Sequence, residues 1–172
     1  DIPVDHLFAA PVMIRYLVDK GLEDPVVVAP DVGGVKMARA FAKHLSGSLA
    51  IVDKRRDAPD KSDVMHVIGE VRGREVVIVD DLISTGGTIV QAAETLLRAG
   101  ARHVYASATH AVFSGSAVEK ISSSCISELF VTDTIPQQVP AGGRITILSV
   151  ADLLGEAIKR IHLETSVSSL FV

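Results

Sequence analysis

A chain of 172 residues, 48% hydrophobic and 22% charged, is long enough to bury one sizeable core and too apolar to remain disordered. Its formal net charge of −4 argues against a general nucleic-acid binder, whose phosphate contacts need a basic surface, and no apolar run approaches the roughly eighteen residues of a membrane span. Cys125 is the only cysteine, which excludes an internal disulfide and a cysteine-built zinc site and leaves it as a small buried apolar residue.

Aromatic residues make up 4% of the chain, so its core must be built from Val, Ile, Leu and Ala, a composition suited to parallel strands buried under helices. The spacing over 9–21 predicts a helix with Val12, Met13, Tyr16 and Leu17 on one side and Gly21 as its stop. "VVVA" (26–29) reads as a short buried strand. The stretch 33–47 reads as a helix, with Val35, Ala38, Phe41, Ala42 and Leu45 at helical intervals. A strand at 49–53 leads into "KRRDAPDKSD" (54–63), which is charged, contains proline and reads as a loop. Residues 64–74 have the pattern of a strand pair. A strand at 75–80 then enters a glycine-rich loop and a helix closed by Gly100. Strands at 103–109, 126–133 and 144–150 alternate with helices at 115–123 and 151–162, and the tail after 162 is too short to assign. The expected fold is α/β, an open and mostly parallel sheet flanked by helices on both faces, in one domain over 1–172. The first residues lack the basic-then-apolar order of a signal peptide, so a cytoplasmic protein is expected.

The chemistry concentrates in "VVIVDDLISTGGT" (76–88). Ligands of open α/β sheets collect beyond the carboxyl ends of the strands, and Asp80 and Asp81 stand at such an end. The following loop turns into a helix, so the amides of residues 84–88 converge on a helix N-terminus, a ready anion site. Gly86 and Gly87 admit close backbone approach, and Ser84, Thr85 and Thr88 add hydroxyls. Carboxylates repel a phosphate but can accept hydrogen bonds from sugar hydroxyls or bind a metal, and a sugar phosphate is one ligand that satisfies both halves. The lysine of a nucleoside-triphosphate P-loop is missing. "PDVGG" (30–34) repeats the design, with Asp31 as a Mg²⁺ ligand candidate or a simple cap, and Gly33 and Gly34 as close-approach amides. Lys54, Arg55 and Arg56 put three cations after a strand at the same edge. Of the six histidines, only His110 ends a strand there.

The thirteen-residue string resembles the signature of the phosphoribosyltransferase fold, in which the loop holds a 5-phosphate and the two acids face the ribose. "APDVGGVKMARAFA", "DKRRDAPDKSDVM", "YASATHAVFSGSAVEKI", "VTDTIP" and "SVSSLF" are similar, in collinear order, to the C-terminal half of the ribose-phosphate pyrophosphokinases. That resemblance implies transfer of the diphosphoryl group of ATP to ribose 5-phosphate, with Mg²⁺ as cofactor and Lys54 and Arg56 as the catalytic pair. It further implies Asp80, Asp81, Ser84, Thr85, Gly86, Gly87 and Thr88 around ribose 5-phosphate. Gly33, Gly34 and either Lys36 or Arg39 fall to ATP and pyrophosphate. It also implies a preceding N-terminal half, which with a neighbouring subunit holds much of the ATP, and a homo-oligomer when full length. Ser84 stands where the family usually carries Asp, and Met37 and Lys36 where a basic residue is common. A phosphoribosyltransferase would want an aromatic base-binding hood, for which a chain with two tyrosines supplies little. A non-catalytic regulatory homologue would be marked by damage at Asp80, Asp81, Lys54 or Arg56, all intact.

Overall fold

Val26–Ala29 (β1) is buried at all four positions, as a strand covered on both faces must be. The computed structural model describes residues 2–55, 64–140 and 142–171, with only the backbone of residues 54, 55 and 64. Before β1 comes α1 (Ala10–Lys20), entered through Pro11 and ended by Gly21 in the left-handed conformation, φ 67°, whose N–H bonds back to Val18. After it come α2 (Val35–His44), β2 (Ser48–Arg55), β3 (Val64–Ile68), β4 (Glu75–Ile83) and α3 (Gly87–Arg98). Then β5 (His103–Ala111), α4 (Ala117–Ser122), β6 (Glu128–Thr132), β7 (Ile145–Leu148), α5 (Ala151–His162) and a 3₁₀ turn at Ser168–Leu170 complete the chain.

Among the described residues the strands form one seven-stranded sheet in the order β3-β2-β1-β4-β5-β6-β7, parallel except for the antiparallel pair β2 and β3. From β1 the chain moves outward through α2 to β2, then returns to start β4 on the other side of β1. That reversal opens a crevice between the carboxyl ends of β1 and β4, the place where open α/β sheets bind ligands. Met13 and Leu17 of α1 and Ala38, Phe41 and Ala42 of α2 pack on one face of the sheet. Ile89, Ala92, Ala93 and Leu96 of α3 and Ile121 of α4 pack on the other. Helices cover both faces, as expected from the alternation of elements. Cys125 is only half-buried against the second of these clusters, and burial pushes its thiol pKa up.

Several boundaries move. The helix expected at 33–47 ends at His44, because Ser46 turns left-handed at φ 51° and the Gly47 N–H bonds back to the Ala42 carbonyl, so the chain has already left the helix there. Residues 64–74 make no strand pair: β3 pairs with β2, and this antiparallel ladder draws Lys54 and Arg55, expected in a loop, into β2. β4 runs past Asp80 to Ile83, and β5 past Thr109 to Ala111, because Leu82 faces His110 and Ile83 faces Ala111 across the ladder. At the opposite edge of the sheet, Glu128 accepts from Tyr16 Oη (2.5 Å), Lys20 Nζ (2.6 Å) and Thr146 Oγ1 (2.6 Å), tying α1 to β6 and β7. Burial opposes its ionisation, but the three donors outweigh it and hold the carboxyl below its usual pKa. No helix of the described residues is long and apolar enough to cross a membrane.

Candidate active site

Two turns flank the crevice. The first follows β1, where Asp31 Oδ1 accepts from the Gly34 N–H at 3.0 Å and so closes the entry to α2. A Cβ on Gly33 would stand 3.1 Å from that same oxygen, so a larger residue there would push the capping carboxylate by a few tenths of an ångström. Gly34, the residue before α2, has ordinary room around it. Lys36 and Arg39 lie one helical turn apart on the exposed side of α2, opposite Ala38, Phe41 and Ala42.

The second turn follows β4. No carbonyl or side chain of the described residues accepts from the amides of residues 84–88, and α3 has no side-chain cap, so these N–H groups are without a partner among the described residues. Ser84, Thr85 and Thr88 are exposed beside them. Gly86 has a different reason to be glycine from the one its sequence suggests. It is buried with φ 74°, and a Cβ there would touch Ile121 of α4 at 3.3 Å. Gly87 carries the open side of the turn: its nearest neighbour would be Thr85 Oγ1 at 3.8 Å.

Asp80 and Asp81 are consecutive in β4, so their side chains leave the strand in opposite directions and differ in environment. Asp81 is exposed. Asp80 is half-buried and its pKa is pushed up to about 6, first by burial and then by the negative charges of Asp81 and Asp31; the Asp81 N–H, at 2.9 Å from Oδ1, works in the other direction. The influence of Asp31 on Asp80 places both turns within one electrostatic environment. Lys54 lies near the carboxyl end of β2, beside β1, at the same edge of the sheet. Its side chain and the whole of Arg56 lie outside the described residues.

His110 is inside β5 rather than at its end, and its Nδ1 pairs with Thr134 Oγ1 at 2.9 Å. Thr132 and Thr134 both donate to the Thr109 carbonyl, and Gln137 donates to that of Ala111. The turn after β5 was not singled out in the sequence, although the glycine of "VFSG" was a signal for it. Its N–H groups reach the anion loop: Val112 and Phe113 donate to the Ile83 carbonyl (3.0 and 3.2 Å) and Ser114 to that of Ser84 (2.9 Å). The hydroxyls of Ser84 and Ser114 stand 3.3 Å apart.

No group of three or more His, Cys, Asp or Glu among the described residues is arranged to hold a metal ion. Asp31 commits one oxygen to Gly34 and stands exposed at the crevice with oxygen lone pairs to spare. A single carboxylate of this kind fits a Mg²⁺ ion that takes its other ligands from phosphates and water.

A protein-family model described as the phosphoribosyl synthetase-associated domain matches residues 56–172. The chain belongs to this family. Its relatives carry the corresponding name: the "Ribose-phosphate pyrophosphokinase" of Gloeobacter violaceus is 55% identical over 175 residues, covering 99% of this chain and 52% of the relative. The crystal structure of phosphoribosylpyrophosphate synthetase from Mycobacterium smegmatis matches with a TM-score of 0.86 and 35% identity, over 95% of this chain and 54% of that one. This phosphoribosyl synthetase-associated chain therefore spans about half the length of the relatives it matches. A purine phosphoribosyltransferase from Pyrococcus horikoshii, at 16% identity and a TM-score of 0.51 over 82% of this chain and 79% of that one, shares the fold.

Proposed function

We propose that this chain is the catalytic half of a ribose-phosphate pyrophosphokinase, which moves the diphosphoryl group of ATP to the 1-hydroxyl of ribose 5-phosphate and releases AMP. The observation that carries the reading is the switch-point crevice: an unpaired amide cradle and two carboxylates face a second capped turn, in a chain 55% identical to proteins of that name. The amides of residues 84–88, with Ser84, Thr85 and Thr88, take the 5-phosphate. Asp80 and Asp81 accept from the ribose hydroxyls. Across the crevice the amides of Gly33 and Gly34, with Lys36 or Arg39, meet the ATP phosphates. Asp31 would hold Mg²⁺, which when bound would supply charge stabilisation to the phosphoryl oxygens. Lys54 and Arg56 neutralise the charge that spreads over the transferring group, while the sugar hydroxyl itself attacks, so no side-chain nucleophile is needed.

Tyr16, Tyr105, Phe41 and Phe130 pack in the cluster beneath α1 and α2 and Phe113 in the other, and we assign the adenine site mostly to the rest of a full-length, homo-oligomeric protein. Leu154, Ile158 and Ile161 of α5, a stripe at helical spacing, are exposed, and we assign that surface to contact with the remainder of the full-length chain. In calorimetry the 172-residue chain should bind ribose 5-phosphate, yet form no AMP from ATP and Mg²⁺ at a useful rate. The full-length protein should form AMP only when ribose 5-phosphate is added. Absence of ribose 5-phosphate binding by the chain sinks the reading.

A further inference from the structure

We propose that the turn at 112–115 is a positioning strut that aims the anion loop, with the main-chain N–H of Ser114 as its working contact; this rests on the proposed ribose 5-phosphate site. In a trans peptide the C=O and N–H point in opposite directions. Pinning the Ser84 carbonyl to Ser114 therefore turns the Thr85 N–H away from the strut and toward the open side of the loop. Pinning the Ile83 carbonyl to Val112 and Phe113 does the same for the Ser84 N–H. Left unpinned, these two peptide planes would be free to rotate, and the cradle would lose its first two donors.

The turn is shaped for the task. Phe113 adopts φ 48° and Gly115 φ 60°, both in the left-handed region, and for phenylalanine this is an uncommon conformation. The Phe113 ring packs against the core cluster under α3 and α4, which holds the backbone in place. Two left-handed residues in three let Val112, Phe113 and Ser114 present consecutive N–H groups to one neighbouring strand end. Behind the turn, β5 is braced in its own right. Gln137 holds the Ala111 carbonyl, and Thr134 reaches both the Thr109 carbonyl and His110. His110 thus belongs to the bracing of the strut, and the loop after β6 supports the end of β5 as β5 supports the end of β4.

The strut acts through the backbone, which separates it from a side-chain contact. Ser114→Ala keeps the N–H and should bind ribose 5-phosphate within about twofold of the parent. Ser114→Pro removes the donor, and Gly115→Val strains φ 60° at a position where a Cβ meets nothing within 4 Å. Both should bind ribose 5-phosphate at least about tenfold more weakly, the worth of one hydrogen bond to a charged group, with melting temperatures lowered by several degrees through local backbone strain but with cooperative unfolding retained. If a variant fails to fold, hydrogen exchange on the parent decides: ribose 5-phosphate should slow exchange at Ser114 together with residues 84–88. Parent-like binding by both Ser114→Pro and Gly115→Val, or an unchanged Ser114 exchange rate in a parent that binds, overturns the strut alone. A parent with no affinity for ribose 5-phosphate overturns the functional reading and the strut with it.

Discussion

Gly86 and Gly87 are adjacent in one loop, and alanine at each should fail in a different way. At Gly86 the backbone is left-handed, φ 74°, which costs an L-residue about 1–2 kcal/mol. The added Cβ would also press on Ile121 Cδ1 and Cγ1 at 3.3 Å, and overpacking of that kind costs about 1–3 kcal/mol. If Ile121 relaxes by a few tenths of an ångström the sum stays near 2–4 kcal/mol, a fall in melting temperature on the order of 5–15 °C for a chain of this length. Gly87 opens α3 with no positive φ, and its Cβ would meet only Thr85 Oγ1 at 3.8 Å. Gly87→Ala should therefore leave stability unchanged or raise it by up to about 1 kcal/mol, as glycine-to-alanine changes in helices do. The same methyl stands on the open side of the amide cradle and should weaken ribose 5-phosphate binding at least about tenfold, by denying the phosphate its close approach. Thermal unfolding and calorimetry on the two variants give four values. A Gly87→Ala chain that binds like the parent would show that no ligand approaches there, and a Gly86→Ala chain as stable as the parent would refute the packing against α4.

The pH dependence of stability should carry the mark of Asp80. Its carboxyl is raised from 3.8 to about 6, so between those values the folded state holds more proton than the unfolded, and the group's contribution falls as pH rises through that window. Asp80→Asn should gain on the parent as pH rises from about 4 to above 6, in urea unfolding at each pH, and a constant gap between the two would contradict the burial of Asp80 as its cause. For the proposed reaction, measured on the full-length protein, Lys54→Ala and Arg56→Ala should lower kcat on the order of a hundredfold with little change in the KM for ribose 5-phosphate. Effects confined to KM would make these residues binders.

The elements that the sequence determined unaided are those whose signal is carried by their own side chains. The four apolar residues of β1 appear as a strand with the expected bounds, and α5 follows its helical spacing from Ala151 to His162. The Thr-Gly-Gly-Thr turn into a helix was legible for the same local reason, since its glycines and hydroxyls are neighbours in the chain and α3 does begin at Gly87. Strand ends were not legible, because a ladder stops where its partner stops. β4 reaches Ile83 only because β5 reaches Ala111, and β2 extends to Arg55 only because β3 returns beside it. Nor does a glycine declare whether it makes room for a ligand or for its own protein. Gly86 yields to Ile121, thirty-five residues away, and to its own left-handed backbone. The strand order, too, belonged to the tertiary structure. Only the return of the chain to the far side of β1 sets the turns after β1 and β4 across one crevice, and only the packing of β5 against β4 brings the Ser114 N–H to the Ser84 carbonyl. Those contacts join residues far apart in the chain, and no local pattern of side chains encodes the partner to which a backbone group will be bonded.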